Sequence, residues 1–233
     1  MADYTLYYWP IPFRGHFIRY VLAHVGADWR EADFNEVAAR KNQAVAEQPY
    51  PFMAPPLLED HKNGRTHSQL PAILLHLAEE HKLSAHPQDD LRLICDASDI
   101  LFEITRYHGA LVWDQRSWID FCSERLPRWM QIHERIVADG GIKPDAGYLW
   151  GSDEPTLGDL VLAALWHTMI DRLPPLRPLL RTNAPTLEGL VDRVAVNAGI
   201  ASLLSEWSGR KPLYCAGQIE ASLLTVLDME TDE

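Results

Sequence analysis

Every strand signal in this chain falls before residue 84. Residues 4–9 are β-branched and aromatic and read as a short strand, stopped by Pro10 and Pro12. From Gly15 to Val25, apolar residues recur at helical spacing (Phe17, Ile18, Val21, Leu22, Val25), and Gly26 closes that helix. Trp29 to Phe34 alternates weakly as a second strand, and the stretch from Asn35 to Gln48 reads as one loose helix. Met53-Ala54-Pro55-Pro56 leads into a strand at Leu57, and Asn63-Gly64 is the strongest two-residue hairpin signal. Arg65 to Ser68 returns as a strand, Pro71 sits at a helix start, and the helix runs to about Lys82. Residues 1–83 therefore predict an α/β domain.

Residues 84–90 are polar and carry a proline, and read as a linker. Beyond them the pattern is helical only, which makes 91–233 an all-α domain. Helices are expected over Leu91–Trp113 and Ser117–Val137. A third starts at the Thr156-Leu157-Gly158-Asp159 capping-box variant and is stopped by Pro174-Pro175. Two short helices follow, over Thr186–Val196 and Ile200–Trp207. The tail from Lys211 onward, with Leu213-Tyr214 and Leu223-Leu224, either wraps back over a cleft or extends the helical domain.

A net charge of −12 argues against a nucleic-acid partner, whose binders carry a basic face. Cys95, Cys122 and Cys215 form no CxxC pair, which fits a reduced compartment without a disulfide frame. The first residues lack a signal-peptide pattern, and the longest apolar run, Leu160 to Trp166, is too short to span a membrane. A cytoplasmic protein is expected. Ten histidines occur, but neither HxxxH nor HExxH is among their spacings, so no metal is expected.

The motifs, in order, resemble the cytosolic glutathione transferase family. Tyr8 to Arg19 resembles the mu and pi class opening, where an aromatic strand end precedes an Arg/Gly loop and an Ile-Arg helix start. Met53 to Leu58 is similar to the family's cis-proline loop, and Ser68-Gln69-Leu70-Pro71-Ala72-Ile73-Leu74 to its Gln-Ser-x-Ala-Ile segment. Thr156 to Asp159 fits the family's buried capping box. The resemblance covers nearly the whole chain and points to a bacterial branch of the family. It implies a thioredoxin-like first domain and an all-helical second one, a cytosolic homodimer, and glutathione as co-substrate without a metal.

That resemblance also implies roles for single residues. Tyr8 would hydrogen-bond the glutathione thiolate; Tyr7, its strand neighbour, must face the other way. A free thiol has a pKa of about 8.5, so such a donor raises the thiolate fraction. Ala54 would pair with the cysteinyl backbone beside a cis Pro55; Pro56 is the alternative cis residue. Gln69 and the N–H of Leu70 would hold the γ-glutamyl carboxylate at a helix N-terminus, although Leu70 stands where the family carries serine. Trp9 and Arg14 are candidates for the glycyl carboxylate, with Arg40 and Lys41 as further cations. Ile11, Pro12, Phe13, Tyr107 and Trp113 would wall a pocket for a hydrophobic electrophile, and either Tyr107 or His108, one turn after Glu103, would reach the cleft. The implied activity is glutathione conjugation. The alternatives are isomerase, lyase or peroxidase chemistry on the same thiol, or a non-catalytic binding module.

Overall fold

β1 (Tyr4–Tyr7) lies inside a four-stranded sheet of order β2-β1-β3-β4 in the computed structural model, which describes residues 2–208 and 214–229. β2 (Trp29–Glu31) is parallel to β1, so the chain between them must cross over, and α1 (Phe13–His24) makes that crossover. β3 (Leu57–Asp60) runs antiparallel to β1, placing Leu57 opposite Tyr7, and β4 (Arg65–Ser68) is the edge. The β3–β4 connection is a four-residue loop, His61–Gly64, rather than a two-residue turn. The Asp60 carboxylate shapes it by accepting from the N–H groups of Lys62 (3.0 Å) and Asn63 (3.1 Å).

Strand alternation divides the first strand between two faces. Tyr4 and Leu6 join the main core with α1 and α3 (Leu70–His81). Tyr7 packs on the opposite face with Ala32, Val37 and Leu57. α2 (Phe34–Asn42) covers that second face through Val37. Asp33 caps α2 by accepting from Glu36 N–H at 2.9 Å, and Glu36 accepts from Asp33 N–H in return at 2.8 Å.

α4 (Pro87–Ile104) begins inside the expected linker, because Pro87 suits a first helical turn and Asp89 and Asp90 favour its positive end. It also stops nine residues short of Trp113. Arg106, Tyr107, His108 and Gly109 all take positive φ (49°, 61°, 55° and 83°), a left-handed turn that breaks the helix. α5 (Gln115–Asp120) passes through a π turn at Phe121–Arg125 into α6 (Leu126–Asp139). Pro127, which has no N–H to give the ladder, follows that wide turn directly.

α7 (Leu157–Arg172) is buried on nearly all sides and carries the apolar run from Leu160 to Trp166 into the core. Its start is fixed by Asp159, which accepts from the N–H groups of Leu149 (2.9 Å) and Thr156 (2.8 Å) and from the Thr156 hydroxyl (2.7 Å). α8 (Arg177–Asn183), α9 (Pro185–Ala195), α10 (Ala198–Ser208) and α11 (Gly217–Val226) complete the described residues. α8 and α11 were not anticipated from periodicity; Lys211 and Leu213 of the expected tail lie outside the described residues.

The two halves meet where α1 packs against α7 and α10. At Gly199 a Cβ would stand 2.0 Å from the Ala23 carbonyl oxygen, so only glycine lets α10 approach α1 this closely. No described helix is long and apolar enough to cross a membrane.

Candidate functional site

Two adjacent tyrosines end up in different chemistry. The Tyr7 hydroxyl donates to Glu59 Oε2 (3.1 Å) and accepts from Arg40 Nη2 (3.1 Å), and Arg40 also pairs with Glu59. That network uses Arg40 and removes it from the carboxylate-binding candidates. Tyr8 turns the other way, joins the core at 4% exposure, and accepts from the Arg14 N–H at 3.2 Å. Burial pushes its pKa up to about 12, against the lowering pull of Arg14 and of that hydrogen bond. Tyr8 is therefore a protonated donor across the physiological range.

Arg19 holds the loop beside Tyr8. Its guanidinium is fully buried and binds both Glu31 carboxylate oxygens at 2.7 Å. It also donates to the carbonyls of Ile11 (2.8 Å) and Trp9 (3.3 Å) and lies 4.4 Å from the Trp207 ring centroid. The prolines limit the loop's conformations, but Arg19 pins it in place. Gly15 is required here: a Cβ would stand 2.4 Å from Tyr8 Cδ1 and 2.5 Å from Arg19 Nη1. The sequence signal for Arg19 was the Ile-Arg helix start, but nothing in the pattern named Glu31 as its partner.

A cavity of about 450 Å³ opens in front of Tyr8. Trp9, Ile11, Phe13, Arg14 and Pro55 line it with Tyr8, all of them predicted site residues. Arg14 is largely withdrawn from water, which lowers its pKa against the opposing influence of Tyr8 and Tyr214. Its guanidinium lies 4.8 Å from the Phe13 ring centroid and has no carboxylate partner among the described residues.

Several predicted residues are not part of this wall. Pro12 caps the start of α1 from beneath the loop, its carbonyl accepting the His16 N–H at 2.9 Å. The cis bond is Pro55–Pro56, so Pro56 and not Pro55 is the cis residue, buried directly before β3. The residue preceding it is therefore Pro55, which lines the cavity but has a carbonyl and no N–H, while Ala54 is exposed and outside the lining. Gln69 takes φ +73° before α3, and the Leu70 side chain is in the core at 2% exposure; neither lines the cavity.

Tyr107 and Trp113 are also elsewhere. They border a separate cavity of about 560 Å³ with Phe102, Arg106 and Phe121. The left-handed turn is the cause: it carries Tyr107 away from Tyr8 and folds Trp113 back onto α4, where its indole N–H donates to the Ile104 carbonyl at 2.8 Å.

The wall opposite Tyr8 was legible only in outline, as His108 within reach of a cleft and a tail wrapping back over it. Thr105, His108 and Gly109 supply one part and residues 215–219 the other. Gln218 clips the two together by donating to the Gly109 carbonyl at 3.1 Å. Buried Glu220 holds the segment by accepting from the N–H groups of Tyr214 (3.0 Å) and Cys215 (2.7 Å) and from the Cys215 thiol (3.2 Å). Burial, reinforced by Glu220, raises the Cys215 pKa, so this thiol stays protonated. The signal in the tail was its apolar pair, of which Leu223 reaches the core.

No curated protein matches this chain. Solved structures do match in fold. A pi-class glutathione S-transferase of Onchocerca volvulus is 17% identical, with a TM-score of 0.72 over 92% of this chain and 98% of its own. A glutathione S-transferase of C. elegans is 19% identical, with a TM-score of 0.65 over 91% and 99%. Ure2p in complex with glutathione is 19% identical, with a TM-score of 0.59 over 86% and 97%. At such identities these likenesses show the fold, a thioredoxin-like sheet domain followed by a helical one. Residues 90–226 match the family model of the glutathione S-transferase C-terminal domain, and this chain therefore belongs to the glutathione S-transferase family.

Proposed function

We propose that the protein is a glutathione transferase in which Tyr8 activates the glutathione thiol. The observation that carries this reading is the state of the Tyr8 hydroxyl. One lone pair takes the Arg14 N–H, and the proton remains available to a sulfur in the cavity. A pKa of about 12 keeps it a donor. A hydrogen bond to the thiolate lowers the thiol pKa, and Arg14 adds a positive charge beside it. The thiolate sulfur then bonds to an electrophilic carbon, the leaving group departs with its electron pair, and the thiol proton goes to solvent. Trp9 and Pro55 would hold glutathione along this wall, with Gln69 and the start of α3 at its γ-glutamyl end. Stopped-flow titration of bound glutathione tests the reading: a thiol pKa below about 8.5 supports it. An unshifted thiol, equal in wild type and Tyr8→Phe, would falsify it.

A binding module without catalysis is the second reading, favoured by Leu70. Its side chain is buried where the family offers a hydroxyl, so the γ-glutamyl end lacks one donor. Calorimetry decides between them: conjugation activity excludes the module, and absence of glutathione binding at millimolar ligand excludes the transferase.

The protein is further proposed to form a homodimer, sheet domain of one subunit against helical domain of the other. Met53 (86% exposed), Val45 (72%) and Phe34 (60%) leave large apolar side chains on the first domain's surface. Sedimentation at micromolar concentration showing only a 26.5 kDa species would exclude it.

A further inference from the structure

Two cavities meet at Tyr8, and their charges are opposite. The larger, about 660 Å³, lies toward β2 and α10 and is bordered by Asp28, Glu31, Asp33 and Glu206, with no Lys or Arg among the described residues of its lining. The smaller, described above, is bordered by Arg14 and His108, with no Asp or Glu among the described residues of its lining. Among the described residues, Glu220 is buried behind Cys215 with both oxygens occupied by N–H and S–H donors.

The two basic side chains reach the cavity from different elements. Arg14 comes from the first turn of α1, and His108 from the left-handed turn after α4. Neither has a carboxylate partner among the described residues, and His108 makes no hydrogen bond there; its ring rests edge-on to Phe102 at 4.7 Å. They share one space closely enough that Arg14, after burial, is the second influence lowering the His108 pKa. The rest of the wall is apolar: Ile11, Phe13, Ala216 and Ile219. An apolar pocket with the Arg14 guanidinium at one side and the His108 imidazole at the other offers N–H donors from two sides to an amphiphile with an anionic head.

Resting on the transferase reading above, we infer that the second substrate is a hydrophobic electrophile bearing a carboxylate, which His108 binds while Arg14 serves glutathione. His108 is then a specificity-determining residue, and an anion held against it favours its protonated form. The acidic groove on the other side of Tyr8 repels the same substrate, so charge directs it to one cavity.

The test uses an unreactive pair, 4-phenylbutanoate and its methyl ester, read by quenching of tryptophan fluorescence, since Trp9 lines the cavity. Titrations are made with the full chain saturated with S-methylglutathione. The carboxylate is expected to bind about tenfold more tightly than the ester, as a charge-assisted hydrogen bond implies. His108→Asn, whose side chain tolerates the left-handed backbone, abolishes that preference and leaves ester affinity unchanged, while His108→Lys restores it. Carboxylate binding raises the His108 pKa in an NMR titration, and ester binding does not. Equal affinities for the two ligands, or a preference that survives His108→Asn, overturn the inference. Failure of S-methylglutathione to bind overturns instead the transferase reading on which it rests.

Discussion

The two ends of the proposed glutathione site are built to different standards. At the sulfur end, Tyr8, Trp9, Arg14 and Pro55 converge on one cavity, and a buried Arg19 holds the loop that presents them. At the γ-glutamyl end, Gln69 and Leu70 stand apart from that cavity, and Leu70 faces the core. The first end is specified by side chains that are also packed in place, Tyr8 in the core and Trp9 against Phe34. The second keeps only what any helix start offers, free N–H groups and a favourable dipole, reduced further by Pro71. Reaction chemistry and anchoring are therefore separable in the proposed site: a hydroxyl lines the cavity at Tyr8, while position 70 offers a backbone N–H and no hydroxyl.

Exchanging the two ends' properties sharpens that contrast. The largest effect is expected from Leu70→Ser. It removes a fully buried side chain and costs about 3 kcal/mol of stability in a urea titration. If the γ-glutamyl group does sit there, the same variant binds glutathione about tenfold more tightly by calorimetry. A stability loss with unchanged affinity would break the comparison, since Leu70 would then be core alone.

Tyr8→Phe comes next. Conjugation, as kcat/KM, should fall about thirtyfold, equivalent to about 2 kcal/mol of lost hydrogen bonding to the thiolate. The sign of the pH effect is fixed: without the donor the thiolate is less favoured, so the pH–rate profile moves to higher pH. Because Tyr8 itself titrates near 12, the wild-type profile should not decline between pH 8 and about 10 from loss of its proton. Arg14→Gln should raise KM for glutathione about tenfold with a smaller change in kcat, as expected of a binding cation. The smallest effect belongs to Tyr7→Phe. Losing its bonds to Glu59 and Arg40 costs about 1 kcal/mol of stability, and activity should stay within about twofold. A Tyr7→Phe loss as large as that of Tyr8→Phe would mean that the two faces of β1 are not functionally distinct.

Much of the sulfur end was legible because local rules govern it. Tyr7 and Tyr8 are separated by strand alternation, which depends only on neighbouring positions. Trp9, Ile11, Phe13 and Arg14 follow directly along the chain, so their grouping with Tyr8 needs no distant contact. The cis bond was misplaced by one residue because consecutive prolines look alike; only the start of β3 at Leu57 distinguishes them. Tyr107 and Trp113 were misplaced because the helical pattern continues through a turn that breaks the helix. Gly109 is the one residue of that turn without a Cβ, so the local signal for it is a single glycine after three residues that fit a helix equally well.

The sequence by itself determined the order of elements, the change from mixed to helical structure near residue 84, and the opposite facing of Tyr7 and Tyr8. These follow from periodicity, prolines and hairpin residues, which act within a few positions. Only the tertiary structure decided what stands across from Tyr8. His108 and Gln218 lie 110 positions apart, yet the Gln218–Gly109 bond joins their segments into one wall. Buried Glu220 holds that segment in place, and among the described residues the resulting cavity is lined by basic groups without acidic ones. Such an arrangement arises from packing of distant segments, whose contacts leave no period in the chain.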